Sequence, residues 1–360
     1  MSNSFCRFLS NGLRVDSWDG ELAISPCCFI PRVSMNDPKI DTIMSQYQNA
    51  TDCQLCSYHV SGDVNYGSYG PNRAVRRIPD VDHTHPVSIE FSLDRKCNAA
   101  CLMCSDSFST LWQEQNKKFN IKTAADYPDP QDDQKVVDDL FDRFNLSHVE
   151  DINFLGGEPL ISKTNLLVMD RLIKLGISQN IQLTLTTNGS TSLTDRQTEL
   201  LACFKNVKFS YSIDGVESRF HYLRYPLQWK KIVSVIDDTR RNEKIKSSFH
   251  FCMTLNPLNA FYVDELVDWA NGYFKDDPRF HININPCVGV MDLKSLPSDA
   301  VEYLCEKHAG YDYLTNHFRK GKTPSLQFLE HLRVWDQRRN LDWKQTFPAA
   351  VPFFEKYLEA

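Results

Sequence analysis

Three cysteines stand within the ten residues Arg95-Lys96-Cys97-Asn98-Ala99-Ala100-Cys101-Leu102-Met103-Cys104, spaced C-x3-C-x2-C. Thiols this close can fold inward around one small inorganic core. A four-iron cubane presents four corners, so three thiolates leave one iron without a protein ligand. Closed sites are structural and open ones are reactive. Zinc is the rival reading, but zinc sites repeat C-x2-C pairs with a further Cys or His nearby. No His falls between Val87 and Val136. The spacing therefore favours an iron–sulfur cluster with one open corner.

Such a loop must be held by regular elements, and the sequence around it supplies them. Residues 87–93 alternate at period two and end at the cysteine loop. Five more short apolar runs follow, and polar signals stand at or just after their ends. Residues 151–155 lead into Gly156-Gly157-Glu158-Pro159, 181–185 into Thr187-Asn188-Gly189, and 209–213 into Asp214-Gly215. Residues 249–255 end at Asn256-Pro257, and 280–284 at Asn285-Pro286. Between them, 166–175 and 229–238 carry apolar residues at helical spacing. Repeated βα units predict an α/β fold with a parallel sheet. Six such units fall short of a closed eight-stranded barrel, so a partial (β/α)6 TIM-type barrel is expected. Ligands of such folds bind at the carboxyl ends of the strands, where the polar signals would converge.

The chain is 360 residues long with 42% hydrophobic residues, enough for a sizeable core and a prior of roughly two domains. A net charge of −6 argues against nucleic acid as a partner. No long apolar run predicts a membrane span, and Met1 to Leu9 lack the plan of a signal peptide, so a cytoplasmic location is expected. In that compartment 12 cysteines are not a disulfide framework. Cys203, Cys252, Cys287 and Cys305 are scattered, as buried thiols are. The others fall early. Asp19-Gly20 marks a hairpin between 13–15 and 22–24, with Cys6 before it, Cys27-Cys28 after it and the pair Cys53-Gln54-Leu55-Cys56 beyond. Four of these thiols could close around a second cluster, with structural zinc or buried thiols as alternatives. A short helix is expected near 38–48, a surface insertion over 106–135, and a helix over 328–343 that packs on the barrel, closes it or touches substrate.

These motifs resemble those of the radical SAM superfamily. The resemblance lies in Cys97, Cys101 and Cys104, then Gly156-Gly157-Glu158-Pro159, Thr187-Asn188-Gly189 and Ser212-Ile213-Asp214-Gly215, over roughly 87–290. It implies a [4Fe–4S] cluster whose open iron chelates S-adenosylmethionine, from which one electron releases a 5′-deoxyadenosyl radical that abstracts hydrogen from a substrate. It also implies cofactor contacts: Gly157 and Glu158 at the methionine amino group, Gly156 and Asn188 near the same cofactor, Ser212 and Asp214 at the ribose or carboxylate, Arg224 at the carboxylate, and Met103 beside adenine. The early cysteines resemble a twitch domain, the shorter relative of SPASM domains, placed here before the core. That implies an auxiliary cluster on Cys6, one of Cys27 and Cys28, Cys53 and Cys56. The expected division is 1–80 for this N-terminal cysteine-rich cluster-binding unit, 81–290 for the core, and 291–360 for a helical C-terminal extension.

Relatives with such auxiliary domains often modify peptides, so the resemblance implies a ribosomally made peptide as substrate and a flavodoxin or ferredoxin as electron donor. Radical chemistry on a small molecule in cofactor or natural-product biosynthesis is the alternative. A non-catalytic iron–sulfur electron carrier is the alternative of another class. Cys252 and Cys287, near strand ends, are candidate hydrogen donors.

Overall fold

The apolar runs fold as the strands expected of them, with ends that differ from the runs by at most three residues. The computed structural model describes residues 12–18, 21–26, 31–48, 84–121, 132–275 and 277–358. Among the described residues nine strands are formed: β1 (Gly12–Trp18), β2 (Glu21–Ser25), β3 (Val33–Ser34), β4 (Ser88–Ser92), β5 (Asp151–Phe154), β6 (Gln182–Thr187), β7 (Asn206–Ser212), β8 (Ser247–Leu255) and β9 (Phe280–Pro286). The chain divides into two compact units. The first comprises Met1–Asn98, Asp106–Tyr211 and Val235–His250; the second comprises Ala99–Ser105, Ser212–Ser234 and Phe251–Ala360.

In the first unit the strands run in the order β3-β2-β1-β4-β5-β6-β7, followed by the start of β8. β4, β5, β6 and β7 are parallel neighbours. Parallel strands are covered on both faces and must read as apolar runs rather than strict alternation. Ile152, Phe154, Leu183 and Leu185 accordingly have no exposed surface. Burying side chains of this kind stabilises by about 1.5–3 kcal/mol each. Helix Lys163–Lys174 opens with Ser162, whose hydroxyl accepts the Asn165 N–H, and helix Asp195–Ala202 opens with a capping box of Thr194 and Gln197. Such caps satisfy amides that have no partner inside the helix.

The expected hairpin strands are present, since β1 and β2 are antiparallel from Arg14 opposite Ser25 to Trp18 opposite Glu21. They do not stand apart from the core sheet. β1 also pairs with β4 in parallel, from Gly12 opposite Ser88 to Asp16 opposite Ser92. Sequence patterning finds a hairpin but not its second neighbour, because strands pair through backbone edges that leave no mark on the side-chain pattern. The expected helix near 38–48 is Ile40–Gln48.

In the second unit β8 continues to Leu255 and neighbours β9. The C-terminal helix covers Leu326–Arg339 and not 328–343. It stops because Asn340 takes a left-handed conformation, φ 50°, a helix-ending geometry that Asn tolerates. Asp342 then caps a new short helix, Trp343–Thr346. Trp335 and Phe328 are buried, and the Tyr222 hydroxyl donates to Asp336 at 2.7 Å. Among the described residues no helix is long and apolar enough to cross a membrane.

Candidate metal and cofactor site

The cysteine loop leaves β4 through Leu93, Asp94, Arg95 and Lys96, and its chain passes from the first unit to the second between Asn98 and Ala99. In the first unit, two glycines decide how the loop stem lies. Gly157 N–H donates to Asp94 O at 3.3 Å and Glu158 N–H to Lys96 O at 2.7 Å. A Cβ on Gly157 would stand 2.3 Å from the Lys96 carbonyl oxygen, and one on Gly156 would stand 2.8 Å from Ser92 Oγ. Gly156 is also left-handed, φ 93°. Only a residue without Cβ permits that backbone approach. Gly156-Gly157 is therefore the bed on which the stem of the cysteine loop rests. Thr110 fixes the next residue, since its hydroxyl accepts the Cys97 N–H and donates to the Cys97 carbonyl, both at 3.1 Å.

Glu158 is almost fully buried, at 1% exposure. Its Oε1 accepts the Thr187 hydroxyl at 2.6 Å and its Oε2 the Asn188 N–H at 2.7 Å. A buried carboxylate needs such donors. These tie the end of β5 to the end of β6. Asn188 turns its side chain the other way. Its Nδ2 donates to Asn98 Oδ1 at 2.8 Å and stands 3.9 Å from Cys97 Sγ. Asn98 in turn donates to Ser190 Oγ at 2.9 Å. The ends of three successive strands are thus linked by Glu158, Asn188 and Asn98 beside the first cysteine.

In the second unit, Cys101 and Cys104 sit on one turn, with Cys104 N–H donating to Cys101 O at 3.0 Å. Ala100 N–H donates to Tyr225 O at 2.7 Å and Leu102 N–H to Leu223 O at 2.8 Å, so this turn is laced to 223–225. Arg224, between those two carbonyls, places Nη1 3.7 Å from Cys101 Sγ and pairs through Nε with Asp214 Oδ2 at 2.6 Å. Asp214 is fully buried; its Oδ1 accepts the Thr254 N–H at 2.7 Å and its carbonyl the Asn259 Nδ2 at 3.0 Å. Burial opposes the Arg224 charge, but Asp214 and the Cys101 sulfur outweigh it and hold the guanidinium above its ordinary range. Burial pushes the Cys101 thiol up, against the pull of Arg224.

The remaining candidates are placed as follows. Ser212 ends β7 and is half-buried, as is Met103 between the two cysteines of the turn. Asn256 is buried and spends its Oδ1 on the N–H groups of Leu258 and Asn259, so it shapes the turn after β8. Cys252 lies on the half-buried face of β8. Cys287 follows β9, and burial, with Asp214, pushes its thiol up to about 12. Cys6, Cys27, Cys28, Cys53 and Cys56 lie outside the described residues. Sequence reasoning passed over Asn98, Thr110 and Ser190, single polar residues without a motif of their own.

The donor set fits an iron–sulfur cluster in its chemistry. Cys97, Cys101 and Cys104 supply three thiols, and Cys97 and Cys101 each have an N–H donor beside the sulfur, from Asn188 and Arg224. Such donors tune thiolate-held clusters. As the side chains stand, no group of three or more His, Cys, Asp or Glu that could hold a metal ion occurs among the described residues.

The family profile described as "Radical SAM superfamily" matches residues 92–270. No curated protein matches the sequence. Among solved structures, native anSMEcpe with bound AdoMet aligns at 17% identity and TM-score 0.43, covering 67% of this chain and 63% of that one. Streptococcus suis SuiB bound to S-adenosylmethionine aligns at 16% identity and TM-score 0.41, covering 68% of this chain and 52% of that one. SuiB bound to the precursor peptide SuiA aligns at 13% identity and TM-score 0.41, covering 90% and 75%. The chain thus spans less than two thirds of the length of the first of these.

Proposed function

We propose, from the radical SAM superfamily profile that matches residues 92–270, that this chain is a radical SAM enzyme acting on a peptide. Cys97, Cys101 and Cys104 would hold a [4Fe–4S] cluster. When bound, that cluster supplies the electron that splits S-adenosylmethionine and so yields the hydrogen-abstracting radical.

The chain's own residues prepare the place. Gly156 and Gly157 let the loop stem lie against β5, and Thr110 holds the Cys97 backbone. Glu158 fixes Asn188, which offers its amide beside Cys97. Asp214 holds Arg224 at the Cys101 sulfur. Arg224 and the backbone around Gly157 and Asn188 are the groups we assign to the carboxylate and amino ends of the methionine moiety, with Ser212 at the ribose and Met103 at adenine. The Glu158 carboxylate accepts the Thr187 hydroxyl and the Asn188 N–H, and that of Asp214 accepts the Thr254 N–H and pairs with Arg224. The observation that carries the reading is the C-x3-C-x2-C spacing directly after β4, with Asn188, at the end of β6, beside its first cysteine.

The peptide reading rests on the spacing of Cys6, Cys27, Cys28, Cys53 and Cys56, which supports a twitch-like auxiliary cluster within 1–80. We keep the partial (β/α)6 barrel over β4 to β9 as the architecture of the core and a flavodoxin-type donor as the source of electrons. The test is anaerobic turnover with reductant, S-adenosylmethionine and short peptides encoded beside the gene, read by mass spectrometry. A peptide mass change with matching 5′-deoxyadenosine supports the reading. Abundant 5′-deoxyadenosine with every such peptide unmodified would remove the peptide assignment.

A further inference from the structure

The turn that carries Cys101 and Cys104 is held from two directions within the second unit. Its amides face the segment 223–225, as described. Its middle carbonyl does not. Leu102 O lies 2.9 Å from Nε2 of His331, a residue 229 positions away on the C-terminal helix Leu326–Arg339. Leu102, between the two thiols, has no exposed surface, so its carbonyl needs a protein partner.

The helix is itself anchored where it meets that turn. His331, Trp335 and Arg339 recur every fourth residue and so share a face. Trp335 is 1% exposed; its ring lies 6.2 Å from His331 and 6.3 Å from Tyr222. Arg339 stacks 3.6 Å over Trp335 and 5.4 Å over Tyr225. Asp336 accepts the Tyr222 hydroxyl and, at 3.0 Å, the Trp343 N–H. One helix face therefore grips Tyr222 and Tyr225, which bracket the segment that holds the turn, and reaches past them to the turn itself.

We infer that the C-terminal helix is a clamp on the Cys101–Cys104 turn, with His331 as the positioning residue that fixes the turn through the Leu102 carbonyl. The inference rests on the reading of Cys101 and Cys104 as cluster ligands. Residues outside the ligand set that orient ligands typically change metal retention by about 10–100-fold when lost. His331 touches no ligand sulfur in this arrangement; it sets the backbone from which two of them project.

The experiment compares the full chain with His331→Leu and His331→Gln after anaerobic reconstitution. Leu removes the donor, while Gln can place an N–H near the same point. The account expects His331→Leu to lose iron to a chelator roughly 10-fold faster and to shift the electron paramagnetic resonance spectrum of the reduced cluster, with Gln restoring both. An unchanged Leu variant overturns the clamp, as does a Gln variant no better than Leu. A measurement on the unaltered chain covers the case in which Leu prevents folding. Nitrogen-15 resonances of the His331 ring must show a proton on Nε2, and a bare Nε2 overturns the inference because it cannot donate. Cys101→Ala separates the two levels: if it keeps the full iron complement, the ligand assignment fails and takes the clamp with it.

Discussion

Glu158 holds Asn188 by its backbone: the buried carboxylate at the end of β5 accepts the Asn188 N–H at 2.7 Å and, through its other oxygen, the Thr187 hydroxyl at 2.6 Å. An acidic residue after two glycines invites a direct role in binding an ammonium group. Its geometry gives it a prior task, aligning two strand ends beside Cys97. Glu158→Gln keeps the size and presents an amide where two donors already point. We expect a loss of about 1–3 kcal/mol, the cost of a buried donor left unsatisfied, measured by denaturant titration of the cofactor-free chain. Unchanged stability with weakened S-adenosylmethionine binding would mean the carboxylate serves the cofactor instead.

Gly157 gives a contrast within the same chain. Gly157→Ala sets a methyl against the Lys96 carbonyl and should destabilise by about 1–3 kcal/mol, as overpacking does, while lowering iron uptake on reconstitution. Gly272→Ala falls in helix Val263–Phe274 with nothing within 4 Å of the added carbon. It should stabilise by about 0.5–1 kcal/mol. Thermal unfolding of both variants reads the two signs, and equal behaviour would contradict the close approach at Gly157.

The buried pair of Asp214 and Arg224 sets a third expectation. Asp214→Asn leaves the guanidinium uncompensated and should cost about 3–5 kcal/mol, whereas the double change with Arg224→Met should recover much of that loss. Denaturation of the single and double variants measures the recovery. Purely additive losses would show that the pair does not act as a unit.

His317 supplies a pH dependence. Burial, with Lys320 at 3.2 Å from Nδ1, pushes its pKa down to about 4 from 6.5. The unfolded chain then takes up the proton first. Stability is complete above pH 6.5 and falls as pH drops through 6.5 towards 4. The ring is only half-buried, so the loss is on the order of 1 kcal/mol after solvent screening. His317→Asn should show a smaller drop between neutral and mildly acidic buffer than the unaltered chain does. An equal drop would place the titration elsewhere.

Much of the site was legible because its residues are local in sequence. The cysteine spacing, the run before it and the polar residues after β5, β6 and β7 all lie within a few positions of a strand end. Roles that depend on distant partners were not. That Gly156-Gly157 serves the stem of the cysteine loop follows from contacts with 92–96, some sixty residues earlier. That Glu158 accepts from Thr187 and Asn188, and Asp214 from Thr254, needs the strand register. The parallel pairing of β1 with β4 was hidden because an antiparallel hairpin explains the same pattern. The end of the C-terminal helix turned on one left-handed Asn340, and no periodicity records that. His331 lacked any motif, and its bond to Leu102 spans most of the chain.

The most direct measurement is the yield of 5′-deoxyadenosine from S-adenosylmethionine under strong reductant, with the anaerobically reconstituted chain and with Cys97→Ala, Cys101→Ala and Cys104→Ala. The account predicts formation by the unaltered chain and none above background by each variant. No 5′-deoxyadenosine from an iron-loaded unaltered chain, or equal yields from the cysteine variants, would contradict it.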